Sequence, residues 1–177
     1  YIFKIDNWEL CYSFDQPSVS IVFVNKSNLN KFNYIYQESK SHFNVFISHD
    51  LGNIFNQVDK NNIIICCLMV NDMFVSYYIF RDPYTTYSGI KSVECISSYK
   101  GQSINNELFT LGYMVSLSLV SKDLQADIFL IENISNNDII INLLLKKYHY
   151  FAKTINSLYL YNYACYPKYS NEIMLII

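Results

Sequence analysis

The stretch Ile63-Ile64-Ile65-Cys66-Cys67-Leu68-Met69-Val70-Asn71-Asp72-Met73-Phe74-Val75-Ser76-Tyr77-Tyr78-Ile79-Phe80 decides the fold class. Residues 63–70 are continuously apolar, which predicts a strand covered on both faces. Asn71-Asp72 is a two-residue turn signal, so residues 74–80 follow as the hairpin partner. The apolar run is eight residues long, far short of the roughly 20 that a membrane-spanning helix needs. Cys66 and Cys67 lie inside it and read as small core residues.

Working outward, residues 20–24 form a short β-branched strand. Residues 27–37 carry Leu29, Phe32 and Tyr36 at helical spacing, with Ser27 as the expected N-cap. A second helix opens after His49-Asp50, holds Leu51, Ile54, Phe55 and Val58 on one side, and breaks at Asn61-Asn62. Beyond the hairpin, residues 91–97 read as a third strand. Residues 103–121 read as the longest helix, with Leu108, Leu111, Val115 and Leu119 as its stripe. Residues 128–131 form a strand. Ser135 to Asp138 has capping-box character before a helix over 139–145, which ends near Lys146-Lys147. Residues 158–164 alternate, with Tyr159, Tyr161 and Tyr163 on one face, and so read as a strand; residues 174–177 give a last one. The order is β-α-α-β-β-β-α-β-α-β-β. It is expected to build one α/β domain with a mixed sheet over residues 20–177, behind a lead-in of residues 1–19. This is the element order of the acyl-CoA N-acyltransferase (GNAT-like) fold.

Composition narrows the function. The chain has 177 residues, with Lys+Arg 13 against Asp+Glu 15 and a net charge of -2. It lacks the basic footprint of a nucleic-acid binder. Half the residues are hydrophobic and 16% are charged, which excludes disorder. The 23 Ile, 20 Asn and 17 Tyr stand against three Ala and one Arg. That skew follows AT-rich codons, so single Asn and Tyr residues carry little chemical signal. Five cysteines without a CxxC pair, and three histidines without HExxH spacing, give neither a disulfide framework nor a metal site. Ser48-His49-Asp50 holds triad residue types, but adjacent side chains point apart. GxSxG and GxxxxGK[ST] are absent. No secretory signal is visible, so a cytoplasmic location is expected. The chain opens on Tyr1 rather than Met and reads as a fragment, a processed product or an expressed piece.

The GNAT-like order directs attention to one junction. In that fold, the helix after the third hairpin strand starts at a glycine-rich loop whose N–H groups hold the CoA pyrophosphate. Here the junction is Tyr99-Lys100-Gly101-Gln102-Ser103, with one glycine. The residues predict an acyltransferase-type fold without a CoA loop of its own.

The last third of the chain carries a resemblance. Asp127-Ile128-Phe129, the helix from Asp138, and Leu158-Tyr159-Leu160-Tyr161-Asn162 resemble the C-terminal half of eukaryotic N-myristoyltransferases, with its D-V-F strand, T-F-L-x-x-L-x-F helix and Y-Y-L-Y-N strand. Phe74-Val75-Ser76-Tyr77-Tyr78 is similar to the family's F-I-S-F-Y strand, and residues 27–36 to its L-L-x-x-Y-L-x-x-F helix. The blocks are collinear over residues 20–177.

The resemblance implies two fused folds, an N-terminal half that binds myristoyl-CoA and a C-terminal half that contributes the groove for a peptide beginning with Gly. It implies that this half binds no cofactor and no metal. Myristoyl-CoA would be a co-substrate held by an N-terminal half, supplied in cis or in trans. It places the general base on the C-terminal carboxylate, here Ile177, and peptide contacts on Ser76, Tyr78, Leu158 and Asn162. An α-carboxylate ionises near pH 3.3–3.7, and the largely apolar end Glu172-Ile173-Met174-Leu175-Ile176-Ile177 would raise its basicity by desolvation. Three positions depart from the family. Met73 stands where it has Asp, Ala152-Lys153-Thr154 where it has a G-D-G-type loop, and Ile173 where it has Gly. The departures favour the alternative, a non-catalytic half-domain that binds a peptide or protein partner.

Overall fold

The structure, a computed structural model, describes residues 2–4, 13–41, 45–46, 51–60, 63–81, 89–131, 140, 142, 150–152 and 173–174. The elements are β1 (Ile2–Lys4), β2 (Val19–Phe23), α1 (Leu29–Ser41), β3 (Val45–Phe46), α2 (Leu51–Asp59), β4 (Ile63–Val70), β5 (Met73–Arg81), β6 (Ser92–Lys100), α3 (Asn106–Leu124), β7 (Ile128–Ile131), β8 (Tyr150–Ala152) and β9 (Ile173–Met174). The main sheet runs β2-β4-β5-β6-β7-β1-β8, and β3 pairs with β9 in a second, two-stranded sheet. Every pairing in the main sheet is antiparallel except β6 with β7. A parallel pair needs a crossover, and α3 supplies it.

The β4–β5 hairpin forms as its sequence predicts. Asn71 and Asp72 both take positive φ, 48° and 63°, the signature of a primed two-residue turn whose twist matches the strands. Lys31 on α1 donates to the Asp72 carbonyl at 3.2 Å. The run 63–70 is covered on both faces. Cys66 and Leu68 join the core beneath α3, while Ile65 and Cys67 join the core beneath α1 and α2.

Three local readings are corrected. Ser27 does not cap α1; its hydroxyl donates to Asn25 Oδ1 at 2.6 Å. Asn28 precedes the helix instead, and its carbonyl accepts from Lys31 and Phe32. The long helix starts at Asn106, not Ser103, because Asn105 is the N-cap and accepts from the Leu108 N–H at 2.8 Å. The expected stripe on that helix matches its buried face only in part: Val115 is buried and Leu108 packs against the core. Leu119 is 41% exposed, while Phe109, Tyr113, Leu117 and Val120 are buried. The helix is apolar or small almost all round, so periodicity alone marks its inner side poorly.

Ile140 and Asn142 are helical, and Ile140 packs into the α3-side core. The remainder of the 139–145 helix and the 158–164 strand lie outside the described residues. β1, within the expected lead-in, enters the sheet between β7 and β8. That placement left no signal in three residues. No described helix is long and apolar enough to cross a membrane.

Candidate functional site

Two β-bulges shape the centre of the sheet. Between β4 and β5 the register passes from Leu68↔Ser76 to Met69↔Phe74, leaving Val75 as the extra residue. Between β5 and β6 it passes from Ile79↔Ser97 to Phe80↔Cys95, leaving Ile96 as the extra residue. Bulges re-aim side chains and cluster beside active sites. The second one lies one residue beyond Cys95↔Ile131, the last described β6–β7 pair, and β6 runs on from it to Lys100 and the β6–α3 junction.

That junction is tied to β5. The Gly101 N–H donates to the carbonyl of the bulged Val75 at 3.0 Å. A Cβ on Gly101 would collide with that same oxygen, so only glycine fits there. Lys100 Nζ donates to the Ile104 carbonyl at 3.0 Å. Asn105 occupies the cap, and the acid Glu107 stands in the first turn of α3. A helix N-terminus attracts anions through its open N–H groups and dipole. Here the Gly101 N–H is spent on Val75 and the Leu108 N–H on Asn105, and Glu107 stands in the first turn of α3. The one glycine of the junction is committed to β5.

Of the sequence-derived site residues, Ser76 and Tyr78 are brought together on the α3 face of β5, both with no exposed surface. The Tyr78 hydroxyl donates to the Phe109 carbonyl at 2.7 Å. Burial pushes its pKa well up, and the nearby Ser76 hydroxyl offsets this slightly. Ser76 Oγ is near Tyr78 without reaching hydrogen-bond geometry, and has no partner among the described residues. Leu158, Asn162 and Ile177 lie outside the described residues.

A polar cluster on the opposite face escaped the sequence reading. Ser39 Oγ donates to the Tyr36 carbonyl at 2.7 Å and lies 2.9 Å from the Tyr77 hydroxyl, which it therefore accepts. The Tyr99 hydroxyl donates to Glu38 Oε1 at 3.1 Å. The rings of Phe32, Tyr36, Tyr77 and Tyr99 pack together with centroids 5.6–6.3 Å apart, Phe32 stacked on Tyr36 and edge-on to Tyr77. Burial, and then the Glu38 charge, push the Tyr99 pKa up. The tyrosines had been discounted with the codon bias; only their alternation in 77 and 99 with α1 positions 36 and 39 could have signalled the cluster. Among the described residues, no three His, Cys, Asp or Glu side chains gather as a metal site. Cys66, Cys67 and Cys95 are buried thiols outside any disulfide.

The mixed sheet, with one helix crossing from β6 to its parallel neighbour β7, is matched by solved structures. Ribosomal-protein-alanine N-acetyltransferase from Brucella melitensis biovar Abortus 2308 superposes with a TM-score of 0.62 at 11% identity, over 82% of this chain and 99% of that one. The aminoglycoside acetyltransferase meta-AAC0020 from an uncultured soil metagenomic sample gives 0.65 at 10% identity, over 90% and 100%. A GNAT family acetyltransferase from Staphylococcus aureus gives 0.56 at 9%, over 80% and 99%.

The fold is that of the GNAT acetyltransferases.

No family model and no curated protein matches the sequence. At identities this low the likeness concerns the GNAT fold. The expected mixed α/β architecture stands, and the chemistry has to be argued from the residues.

Proposed function

We propose that this chain is the peptide-binding half of an N-myristoyltransferase. Myristoyl-CoA is held by an N-terminal half, in cis or in trans, and the acceptor is the N-terminal glycine of a protein. The β6–α3 junction carries this reading. A GNAT fold whose one junction glycine is committed to Val75, with Asn105 committed to Leu108, suits the half of a two-fold enzyme that holds the acceptor. The order of the Ser76 block and the Leu158–Asn162 block supports the same assignment.

In this reading, with Ile177 as the protein's last residue, its α-carboxylate takes a proton from the glycine ammonium. The freed amine attacks the thioester carbonyl, the C–S bond breaks, and the thiolate leaves and is protonated. The chain's contribution is to hold the ammonium at the base and the peptide along β5 and the 158–162 segment. Desolvation of the carboxylate strengthens it as a base.

A second reading has one observation behind it. Met73, at the position of the family's Asp, is 66% exposed at the start of β5, and Ile173 replaces a glycine. A diverged half that binds a peptide without acyl transfer would show such losses.

The test joins this chain to an acyl-CoA-binding half and measures myristoyl transfer to a peptide beginning with Gly. The intact mass of the native protein comes first; about twice 20.8 kDa would show that both halves share one chain. Transfer that disappears when one residue is added after Ile177 supports the carboxylate role. Turnover at the native rate by the extended enzyme would remove it. Peptide binding with no transfer in either form would select the second reading.

A further inference from the structure

β2 ends the main sheet. Among the described residues its only strand neighbour is β4. The bonding phase shows which of its groups face the open side. The Asn71 N–H donates to the Ser18 carbonyl at 3.1 Å and the Val24 N–H to the Ile65 carbonyl at 2.9 Å. Ser18, Ser20, Val22 and Val24 therefore turn their backbone polar groups towards β4, and Val19, Ile21 and Phe23 turn theirs outward. The Val19 N–H is taken by the Gln16 carbonyl at 3.1 Å. The Phe23 carbonyl accepts from Asn28 Nδ2 at 2.9 Å. That leaves the N–H and carbonyl of Ile21, the Phe23 N–H and the Val19 carbonyl along the edge.

Natural edges are blunted by charge, proline or a covering element. Residues 18–24 contain neither charge nor proline, and Phe23 is 43% exposed. The edge is instead complementary to itself. In an antiparallel pair centred on Ile21, Ile21 faces Ile21 and Val19 faces Phe23. All are outward positions, so the bonding phases agree. Each Ile21 N–H meets the other Ile21 carbonyl, and each Phe23 N–H meets a Val19 carbonyl. A shift of one residue would set outward groups against inward ones. The flanks carry opposite charges, with Asp15 exposed before β2 and Lys26 exposed after it. Antiparallel pairing brings Lys26 of one copy to the end that carries Asp15 in the other. Parallel pairing would bring like to like.

We propose that β2 pairs antiparallel with β2 of a second copy of this chain about a two-fold axis at Ile21, so that one sheet runs through both molecules. An isologous contact of this kind is closed and stops at the dimer. The proposal does not depend on the acyl-transfer reading.

Light scattering and sedimentation on the 177-residue chain test it. The expected mass is twice 20.8 kDa. Phe23→Lys should give a monomer with an unchanged circular dichroism spectrum. Asp15→Lys alone and Lys26→Glu alone should each weaken the dimer about tenfold, since each sets like charges together twice across the axis. The double substitution should return to within about threefold of the unsubstituted chain. A chain that is monomeric alone overturns the proposal, including the case in which this edge is occupied only by an acyl-CoA-binding half. So does a dimer that survives Phe23→Lys, or charge substitutions without mutual rescue.

Discussion

The Tyr78 hydroxyl rests against Gly112. A Cβ built on that glycine would stand 2.6 Å from the oxygen and 3.3 Å from both Leu68 methyl carbons. The contact brings α3 down onto β5 closely enough for Tyr78 to bond the Phe109 carbonyl. Ser116 continues the small face of the helix and donates to the Gly112 carbonyl at 2.8 Å.

Gly112→Ala should therefore destabilise the protein. Alanine gains about 1 kcal/mol of helix propensity, but overpacking of this kind costs about 1–3 kcal/mol. Tyr78→Phe removes one buried hydrogen bond, worth about 1 kcal/mol. It also removes the atom that the new methyl would strike. The double variant should be more stable than the two single losses sum to. Urea unfolding of all four proteins gives the coupling, and additive losses would show that the oxygen is not the obstacle.

Gly101→Ala should be harder to relieve, because the obstacle is backbone. The Cβ would meet the Val75 carbonyl oxygen, the acceptor of the Gly101 N–H. Either β5 loses its bulge or the junction lifts from the sheet. We expect a loss of about 3 kcal/mol, combining overpacking with a broken hydrogen bond. Amide exchange should locate it: protection falls at Gly101 and along the first turn of α3 while β2 and α1 keep theirs.

Much of this fold was legible. Residues 63–70 gave β4 with its bounds, because a two-sided apolar strand and a turn at Asn71-Asp72 leave few alternatives. Residues 128–131 gave β7 for the same reason. The bulges at Val75 and Ile96 were not legible, since an extra residue in a strand changes no composition. The true cap of α3 could have been read from Asn105 followed by Asn106-Glu107, but Ser103 offered an equal candidate one half-turn earlier. At the site, the single glycine of the junction was legible. Its bond to Val75 on another strand is a long-range contact that local sequence does not encode. Ser76 and Tyr78 share a face as their i, i+2 spacing predicts.

Alkaline pH should unfold this protein early. Burial pushes the thiols of Cys66 and Cys67 and the phenols of Tyr77 and Tyr78 above their ordinary values. The unfolded chain sheds these protons from about pH 8.5 for Cys and 10 for Tyr, while the folded chain keeps them. The unfolded state then binds fewer protons, so stability falls as pH rises, and its full value is present below pH 8.5. Each group contributes a slope of about 1.4 kcal/mol per pH unit once above its unfolded pKa. The melting temperature should be flat from pH 7 to 8 and drop steeply beyond about pH 9. Phenolate absorbance of these two tyrosines should appear with unfolding and not before it.

Arg81 on β5 and Glu94 on β6 face each other across the sheet, with Nη1 3.2 Å from Oε2. Glu94 is 3% exposed and Arg81 39%, so the pair is desolvated at one end only. Arg81→Ala removes this ion pair from a buried carboxylate and should cost about 2–3 kcal/mol, below the range for fully buried pairs because solvent reaches the guanidinium. Glu94→Gln leaves a neutral group in place and should cost less. In the Arg81→Ala background, Glu94→Gln should restore part of the loss, and thermal melts at pH 7 would show it as a raised midpoint. A further loss in the double variant would mean that Glu94 is held by something other than charge.

Ser76 separates stability from function. Its Oγ is buried and lacks a partner among the described residues, and an unpaired buried hydroxyl costs about 1–3 kcal/mol. Ser76→Ala should leave stability unchanged or raise it by about 1 kcal/mol. Ser121 is the internal control, with an equally unpartnered buried Oγ on α3, and Ser121→Ala should move stability the same way. The proposed peptide role predicts where the two part. In the enzyme joined to its acyl-CoA half, Ser76→Ala should raise KM for the peptide several-fold, about the value of one hydrogen bond, while Ser121→Ala leaves it unchanged. Equal KM values for both variants would make Ser76 a core position that happens to carry a hydroxyl, and would take β5 out of the peptide groove.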